Sequence, residues 1–184
     1  MTRLVQIALC LTVALVAAPL RADQRDPRLD ALFADLRAAE TAAVAAPIER
    51  EIWNLWIESD DDAVTLLMRD GVAAMARQDY RTAEGKFDQV VAIAPAYAEG
   101  WNKRATVRYL RGDYQGSLAD IEETLAREPR HFGALSGRGL VYIELDEPER
   151  ALEALEAALA IHPFLPGAAH NAMLLRRLLD SRDI

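Results

Sequence analysis

The chain has 184 residues, and its 29 acidic and 21 basic side chains give a formal net charge of −8. This acidic balance disfavours binding to nucleic acid or to an anionic membrane surface. The sequence is 52% apolar, glycine is sparse at 9 residues, and no alternating strand pattern is present. The composition therefore predicts an all-α protein with enough apolar surface for a continuous core.

The first 22 residues have the pattern of a secretory signal peptide. Arg3 precedes an apolar run from Leu4 to Leu20, and no acidic residue occurs before Asp23. Cleavage is expected after the small residue Ala22. The apolar core, about 15 residues long, is short for a membrane-spanning helix, and a retained anchor is the alternative interpretation.

Export would change the chemistry that the chain can perform. Cys10 lies inside the apolar run, and its bulky neighbour Leu9 argues against lipid attachment. Cleavage would remove Arg3 and Arg21, leaving 19 basic against 29 acidic residues and a net charge of −10. The processed chain would hold no cysteine for a disulfide, a metal or a nucleophile. We expect a periplasmic protein of bacterial type, without stable membrane insertion once the signal is removed.

Residues 23–63 are predicted to form a helical hairpin that caps one end of the remaining chain. Asp26 and Pro27 favour the start of its first helix. Its second helix runs from about Thr41 to Glu58, with a bend or restart at Pro47. The acidic residues that follow, before residue 64, are expected to cap the next helix.

The hairpin carries two tryptophans, Trp53 and Trp56. Packing against the rest of the protein is the favoured interpretation, because large aromatic side chains bury much apolar area per residue. An exposed aromatic platform for a partner protein is the alternative.

From residue 64 onward the sequence repeats every 34 residues. Such a period predicts stacked pairs of helices, with small residues where two helices cross and a proline where the second helix ends. Turn-forming residues fall between the two helices of each pair, at Gln78-Asp79, Gly112-Asp113 and Asp146-Glu147-Pro148. The positions that recur are Pro95, Pro129 and Pro163; Asp79 and Asp113; Tyr80 and Tyr114; Ala83, Ser117 and Ala151; Leu67, Trp101 and Leu135; and Phe87, Ile121 and Leu155.

These columns resemble the tetratricopeptide repeat (TPR) family, with three units at 64–97, 98–131 and 132–165. The resemblance implies a right-handed superhelix of antiparallel helical hairpins, an α-solenoid, and a role in binding other proteins. The motif residues also include Gly71 in the first unit, Ala105 in the second, and Gly139, Tyr142 and Ala158 in the third.

The sequence departs from the family at the seventh position of each unit, which is usually apolar. Asp70, Arg104 and Arg138 stand there. One interpretation is an ion pair between Asp70 and Arg104 on neighbouring helices, because half-buried charges need partners. The alternative is that Arg104 or Arg138 extends into a ligand groove.

Residues 166–184 resemble the single capping helix and tail that end such arrays. An apolar-rich segment runs to Asp180, and Ala169, Met173 and Leu174 are expected to pack on the third unit. The basic side chains expected to face solvent are Arg176, Arg177 and Arg182.

The sequence contains no recognisable catalytic or metal-binding motif. His131, His162 and His170 lack partners at the spacing of a zinc site, and His131 and His162 are expected in surface turns. Glycine-rich phosphate motifs and a nucleophile elbow are also missing from the sequence. It therefore predicts a protein that is not an enzyme and uses neither cofactor nor metal.

The resemblance implies that the first helices of the units line a concave groove. The middle unit is the most polar: Asn102 can bond to a peptide backbone, Lys103 can meet a carboxylate, and Tyr109 can pack on an apolar side chain. The lysine, asparagine and arginine set that holds a C-terminal carboxylate in some family members is not reproduced. A solvated face without a ligand is the alternative. The candidate groove residues are Arg69, Asn102, Lys103, Thr106, Tyr109 and Arg138.

The leading hypothesis is a non-enzymatic periplasmic scaffold that binds a peptide or a helix of another protein in this groove. The alternative is an assembly factor of the cell envelope or of exported cytochromes, which would hold client proteins by an extended tail. An enzyme with an unrecognised site and a homo-oligomer formed through the aromatic hairpin are weaker hypotheses.

Overall fold

The structure is a computed structural model that describes residues 26–182. The predicted signal peptide lies outside the described residues. Between residues 26 and 182 every regular element is an α-helix, which confirms the all-α prediction, and none of these helices is long and apolar enough to cross a membrane. The helices are α1 Arg28–Ala38, α2 Ala42–Ile57, α3 Asp62–Ala76, α4 Tyr80–Ile93, α5 Ala98–Leu110, α6 Tyr114–Arg127, α7 Phe132–Glu144, α8 Pro148–Ile161 and α9 Pro166–Asp180.

Helices α3 to α9 stack in chain order, and each helix packs against the next one. The helix pairs α3–α4, α5–α6 and α7–α8 span residues 62–93, 98–127 and 132–161. Within each pair the chain turns through one residue of positive φ, at Gln78 (61°), Gly112 (77°) and Asp146 (57°). Asp79 and Asp113 follow two of these turns, and their carboxylates accept the backbone N–H groups of Thr82 and Gly116 at the start of the next helix.

Small residues lie where the two helices of a pair cross. A β-carbon added to Gly71 would lie 2.5 Å from the ring of Phe87, and one added to Gly139 would lie 2.6 Å from Leu155. In the middle pair, the hydroxyl of Ser117 donates to the carbonyl oxygen of Ala105 at 2.9 Å. The recurring small residues of the sequence are therefore required by close helix contact.

Asp70 and Arg104 pair with other residues, so the expected Asp70–Arg104 ion pair is wrong. Asp70 accepts from Lys86 of its own unit at 3.3 Å. Arg104 bonds to Asp120 of its own unit at 2.7 Å and to Asp88 of the preceding unit at 2.9 Å. These partners lie 16 residues away in either direction, on the second helices that flank α5.

The N-terminal hairpin does not occupy the position predicted for it. Helix α2 continues through Pro47, and Asp61 caps α3 as expected, with its carboxylate accepting from Ala63 N at 2.7 Å. However, α1 contacts α8 and α2 contacts α5, and among the described residues no comparably extensive contact joins the hairpin to α3 at the start of the array. The hairpin lies across the middle and end of the array because its aromatic side chains find partners there.

The other end also differs from the prediction. Helix α9 packs on α8 as expected, but it does so with Ala168, Ala172 and Leu175. The expected contact residues Met173 and Leu174 face outward, because the helix is rotated relative to the predicted orientation. Ala169 and the three arginines of this end, Arg176, Arg177 and Arg182, are also exposed.

Candidate binding site on the inner face

A small cavity of about 240 Å3 lies on the inner face of the array, between α5 and α7. Its surface is mostly apolar, with a few hydroxyl and amide groups, which is the composition expected of a ligand pocket. One wall is supplied by the N-terminal hairpin through Trp53. The lining residues include Trp53, Asn102, Thr106, Tyr109, Gly137 and Leu140.

The hairpin is held at the loops that join successive units. Tyr97, His131 and Leu165 stand immediately before α5, α7 and α9 and are spaced 34 residues apart. The hydroxyl of Tyr97 donates to the carbonyl oxygen of Ile57 at 2.9 Å, and Leu165 packs in the hairpin's apolar cluster. Helix α2 therefore lies across three equivalent points of the array.

Aromatic rings form the centre of this contact. Trp56 stacks on His131, and Trp53 meets the edges of His131 and Phe132, with ring centroids 5.5 Å apart in both cases. Trp56, His131 and Phe132 are fully buried. The structure thus confirms the packing interpretation for Trp56, and it leaves Trp53 partly exposed at the cavity.

A buried carboxylate lies beneath this aromatic cluster. Glu99 is fully buried, and its Oε2 accepts from the amide of Asn102 at 2.8 Å and lies 3.1 Å from His131 Nε2. The ammonium of Lys103 lies 2.8 Å from Glu99 Oε1. Burial by itself raises the pKa of Glu99, but His131 and Lys103 outweigh that effect and hold the pKa below its ordinary value. The carboxylate is therefore a fixed negative charge that orders three neighbours.

The hydrogen bonds of His131 indicate its tautomer. Its Nδ1 accepts the backbone N–H of Ala134 at 3.1 Å, at the first turn of α7. A neutral ring with its proton on Nε2 satisfies this bond and donates to Glu99. His162 repeats the arrangement, since Nδ1 accepts from Phe164 N at 3.3 Å and Nε2 lies 3.2 Å from Glu49 of the hairpin.

The structure brings together three of the six predicted groove residues. Asn102, Thr106 and Tyr109 line the cavity. The amide of Asn102 is engaged by Glu99, and the hydroxyl of Thr106 donates to the Asn102 carbonyl at 2.9 Å. The hydroxyl of Tyr109 donates to Glu144 at 3.4 Å, and burial followed by this carboxylate raises the pKa of Tyr109. These hydrogen bonds fix the orientation of the three side chains.

The three predicted basic residues do not supply a free positive charge to the cavity. Lys103 is neutralised by Glu99 and lies 5.7 Å from the ring of Trp53. Arg69 is 74% exposed, lies 3.6 Å from Asp70 and does not line the cavity. Arg138 is half-buried outside the cavity, so neither it nor Arg104 extends into the site.

Sequence reasoning missed the role of the histidines. His131 and His162 were expected in surface turns, and that expectation is wrong because both are almost completely buried. The available signal was the column formed by Tyr97, His131 and Leu165, which repeats at the same period as the motif residues. Among residues 26–182 there is no group of three histidine, cysteine, aspartate or glutamate side chains arranged to hold a metal.

Comparison with known proteins agrees with this architecture. The family model of the tetratricopeptide repeat matches residues 68–120 and 102–166. A TPR repeat-containing protein of Rhizobium etli is 38% identical over 156 residues, which cover 84% of this chain and 76% of the relative. The chain therefore belongs to the tetratricopeptide repeat family. In other relatives the match covers a smaller share of the protein, 31% of one from yeast and 51% of one from human.

Solved structures share the fold at low sequence identity. The crystal structure of MamA superimposes with a TM-score of 0.62 at 19% identity, covering 85% of this chain and 84% of MamA. The first TPR domain of Spaghetti (RPAP3), solved with a bound HSP90 peptide, gives 0.63 at 18% identity, covering 66% of this chain and 96% of that domain. These similarities establish an α-solenoid for the present chain.

Proposed function

We propose that this protein is a non-enzymatic scaffold that binds a polypeptide segment of another protein in the cavity between Trp53 and helices α5 and α7. The observation that carries the proposal is the cavity itself, which is apolar, preformed and bordered by oriented polar groups. A structurally similar domain has been solved with a peptide, which supports a polypeptide as the class of ligand.

The charges at the site favour a polypeptide that inserts an apolar side chain over one that inserts its C-terminal carboxylate. None of the residues that line the cavity is basic, and Lys103, which follows the lining residue Asn102, is already neutralised by Glu99 at 2.8 Å. A free carboxylate entering the site would therefore meet no positively charged side chain in the cavity wall. The volume of about 240 Å3 suits one or two large apolar side chains, while the hydroxyl of Thr106 and the amide of Asn102 border the peptide backbone.

We further propose that the protein acts after export to the periplasm. The support is the positive start, the apolar run and the small residue at Ala22. A fusion of residues 1–22 to a reporter enzyme that is active only outside the cytoplasm tests this. Loss of reporter activity when Leu11 and Val13 are replaced by arginine is expected, and an inactive wild-type fusion would refute export.

The binding proposal is tested by site-specific cross-linking. Residues 26–182 contain no cysteine, so Thr106→Cys provides one attachment point for a photoreactive group at the cavity wall. Illumination in envelope extract is expected to yield defined conjugates with other polypeptides. The added substitution Gly137→Leu fills the cavity, since a β-carbon there has only Ile121 at 3.9 Å, and it is expected to abolish those conjugates.

A matched control separates cavity filling from general effects. Gly85→Leu introduces the same side chain on an exposed part of α4, where a β-carbon meets nothing within 4 Å. The conjugates should persist in Thr106→Cys/Gly85→Leu. Identical conjugates with Gly137→Leu and Gly85→Leu would show that the cavity is not the binding site. A conjugate that forms only with unfolded clients would favour the assembly-factor alternative.

A further inference from the structure

A carboxylate stands at the end of the cavity that lies farthest from Trp53. Glu144 is the last residue of α7, and its spacing places it on the same face of that helix as Gly133, Gly137 and Leu140, which all line the cavity. The other end of this face meets Trp53, since a β-carbon at Gly133 would lie 2.7 Å from its ring. One stripe of α7 therefore runs from the aromatic end of the cavity to Glu144.

Two phenol groups hold this carboxylate at the cavity. Tyr109, which lines the cavity, donates its hydroxyl to Glu144 Oε1 at 3.4 Å, and Tyr114 donates to Oε2 at 3.1 Å. The hydrogen bond to Glu144 raises the pKa of Tyr114, so this phenol stays protonated and donates at neutral pH. Each oxygen of Glu144 keeps a further acceptor site free, because an ionised carboxylate offers about four such sites in all.

The negative charge of Glu144 has no basic partner among residues 26–182. Arg177 of the neighbouring helix α9 is exposed and forms no ion pair with it. The other basic side chains of the flanking helices are engaged by different carboxylates, and they are Lys103, Arg104, Arg108 and Arg111 of α5 and Arg176 of α9. The cavity is therefore bordered by an uncompensated negative charge, while none of its lining residues is basic.

We infer that the polypeptide bound in the cavity carries a lysine or an arginine close to the apolar side chain that fills the cavity, and that Glu144 accepts a charge-assisted hydrogen bond from it. This inference rests on the proposed function and names a second feature of the same ligand. Four positions separate Leu140 from Glu144, which is about 6 Å along the helix axis. An extended chain covers that distance in about two residues, so the basic residue is expected about two positions from the apolar one.

Selection from a library of short random peptides displayed on phage tests the charge preference. Peptides selected on the immobilised wild type are expected to combine a large apolar residue with a lysine or an arginine at that spacing. Glu144→Gln keeps an oxygen for the two phenols but removes the charge, so it should keep the apolar preference and lose the basic one. Glu144→Lys should select acidic residues in place of basic ones, because the sign of the charge is reversed.

Titrations with defined peptides measure the size of the effect. The probes are a selected peptide and the same peptide with alanine in place of its basic residue, both acetylated so that no terminal amine supplies the charge. The wild type is expected to bind the alanine form about twofold to fivefold more weakly, which is the range of an exposed ion pair. Glu144→Gln should bind both forms equally. Glu122→Gln, which removes an exposed carboxylate of α6 outside the cavity, is the matched control and should discriminate as the wild type does.

The cavity-filling variant Gly137→Leu separates this inference from the proposed function, and it is expected to bind neither peptide. Equal binding by Gly137→Leu and the wild type, or a wild type that selects no peptide, would refute the cavity as the binding site. If binding requires the open cavity but the selected peptides show no basic preference, the inference is overturned while the proposed function stands. The same holds if Glu144→Gln discriminates between the two peptides as the wild type does. Circular dichroism confirms that all variants are folded.

Discussion

The indole ring of Trp56 lies flat against the imidazole ring of His131, with centroids 4.1 Å apart and planes 9° from parallel. Trp56 belongs to the N-terminal hairpin, and His131 begins the first helix of the third unit. This contact joins residues 75 positions apart in the chain and places the hairpin across the inner side of the array. It thereby also places Trp53 at the cavity.

We expect Trp56→Ala to release the hairpin while the array stays folded. Removal of a fully buried tryptophan costs about 3–5 kcal/mol, and most of this side chain's partners lie across the hairpin–array contact. Hydrogen exchange should therefore show lost protection in α1 and α2 and retained protection in α3 to α8. Trp101→Ala, which alters a tryptophan outside this contact, is the control. Unchanged protection of α2 in Trp56→Ala would contradict the prediction.

The free energy of unfolding should depend on Glu99 at acidic pH. The folded-state pKa of Glu99 lies below its ordinary value of 4.5, so the unfolded chain binds a proton first as the pH falls. The contribution of Glu99 is therefore fully present above about pH 4.5 and is lost as the pH falls through the folded-state pKa. Glu99→Gln should show a flatter dependence of unfolding free energy on pH in this range, measured by urea denaturation.

An exposed carboxylate provides the comparison. Glu122→Gln removes one negative charge from the surface of α6 and should keep the pH profile of the wild type in the same range. If Glu99→Gln and Glu122→Gln gave the same profile, the buried carboxylate would not be a source of acid sensitivity.

Substitutions in the turns between paired helices should have opposite effects. Gln78 and Gly112 occupy equivalent positions with φ of 61° and 77°. Gln78→Gly should stabilise the protein by about 0.5–1 kcal/mol, because glycine adopts positive φ without a steric penalty. Gly112→Ala should destabilise it by about 1 kcal/mol for the same reason. The melting temperatures of both variants, measured by thermal unfolding, check the two directions of change. If both substitutions raised or both lowered the melting temperature, the explanation would be refuted.

Close helix contact at Gly139 should be sensitive to a single methyl group. The new β-carbon of Gly139→Ala would lie 2.6 Å from Leu155 Cγ and 3.3 Å from the Ala151 carbonyl oxygen. Overpacking of this kind costs about 1–3 kcal/mol. By contrast, Gly85→Ala on the open side of α4 should increase stability by up to about 1 kcal/mol, through helix propensity. Urea denaturation of the pair distinguishes a local clash from a general effect of alanine.

Some features of the site could be predicted from the sequence and others could not. The sequence placed Asn102, Thr106 and Tyr109 on one side of α5, the side that lines the cavity, because their positions within a 34-residue unit fix the side of the helix on which they lie. Lys103 was also placed near the groove, but its neutralisation by Glu99 was not foreseen, because the pairing depends on how deeply Glu99 is buried. The exposure of Met173 was missed since a small rotation of α9 exchanges its buried and exposed faces.

The sequence by itself determined the helix pairs, their turns and their order, because periodic apolar residues, capping carboxylates and turn residues act over a few neighbouring positions. Only the tertiary structure decided where the N-terminal hairpin lies and which charges pair. These outcomes depend on contacts between residues far apart in the chain, such as Tyr97 with Ile57 and Trp56 with His131. An amphipathic hairpin can bury its apolar face on more than one surface of the array. The shape and the aromatic residues of each surface decide which one the hairpin packs against.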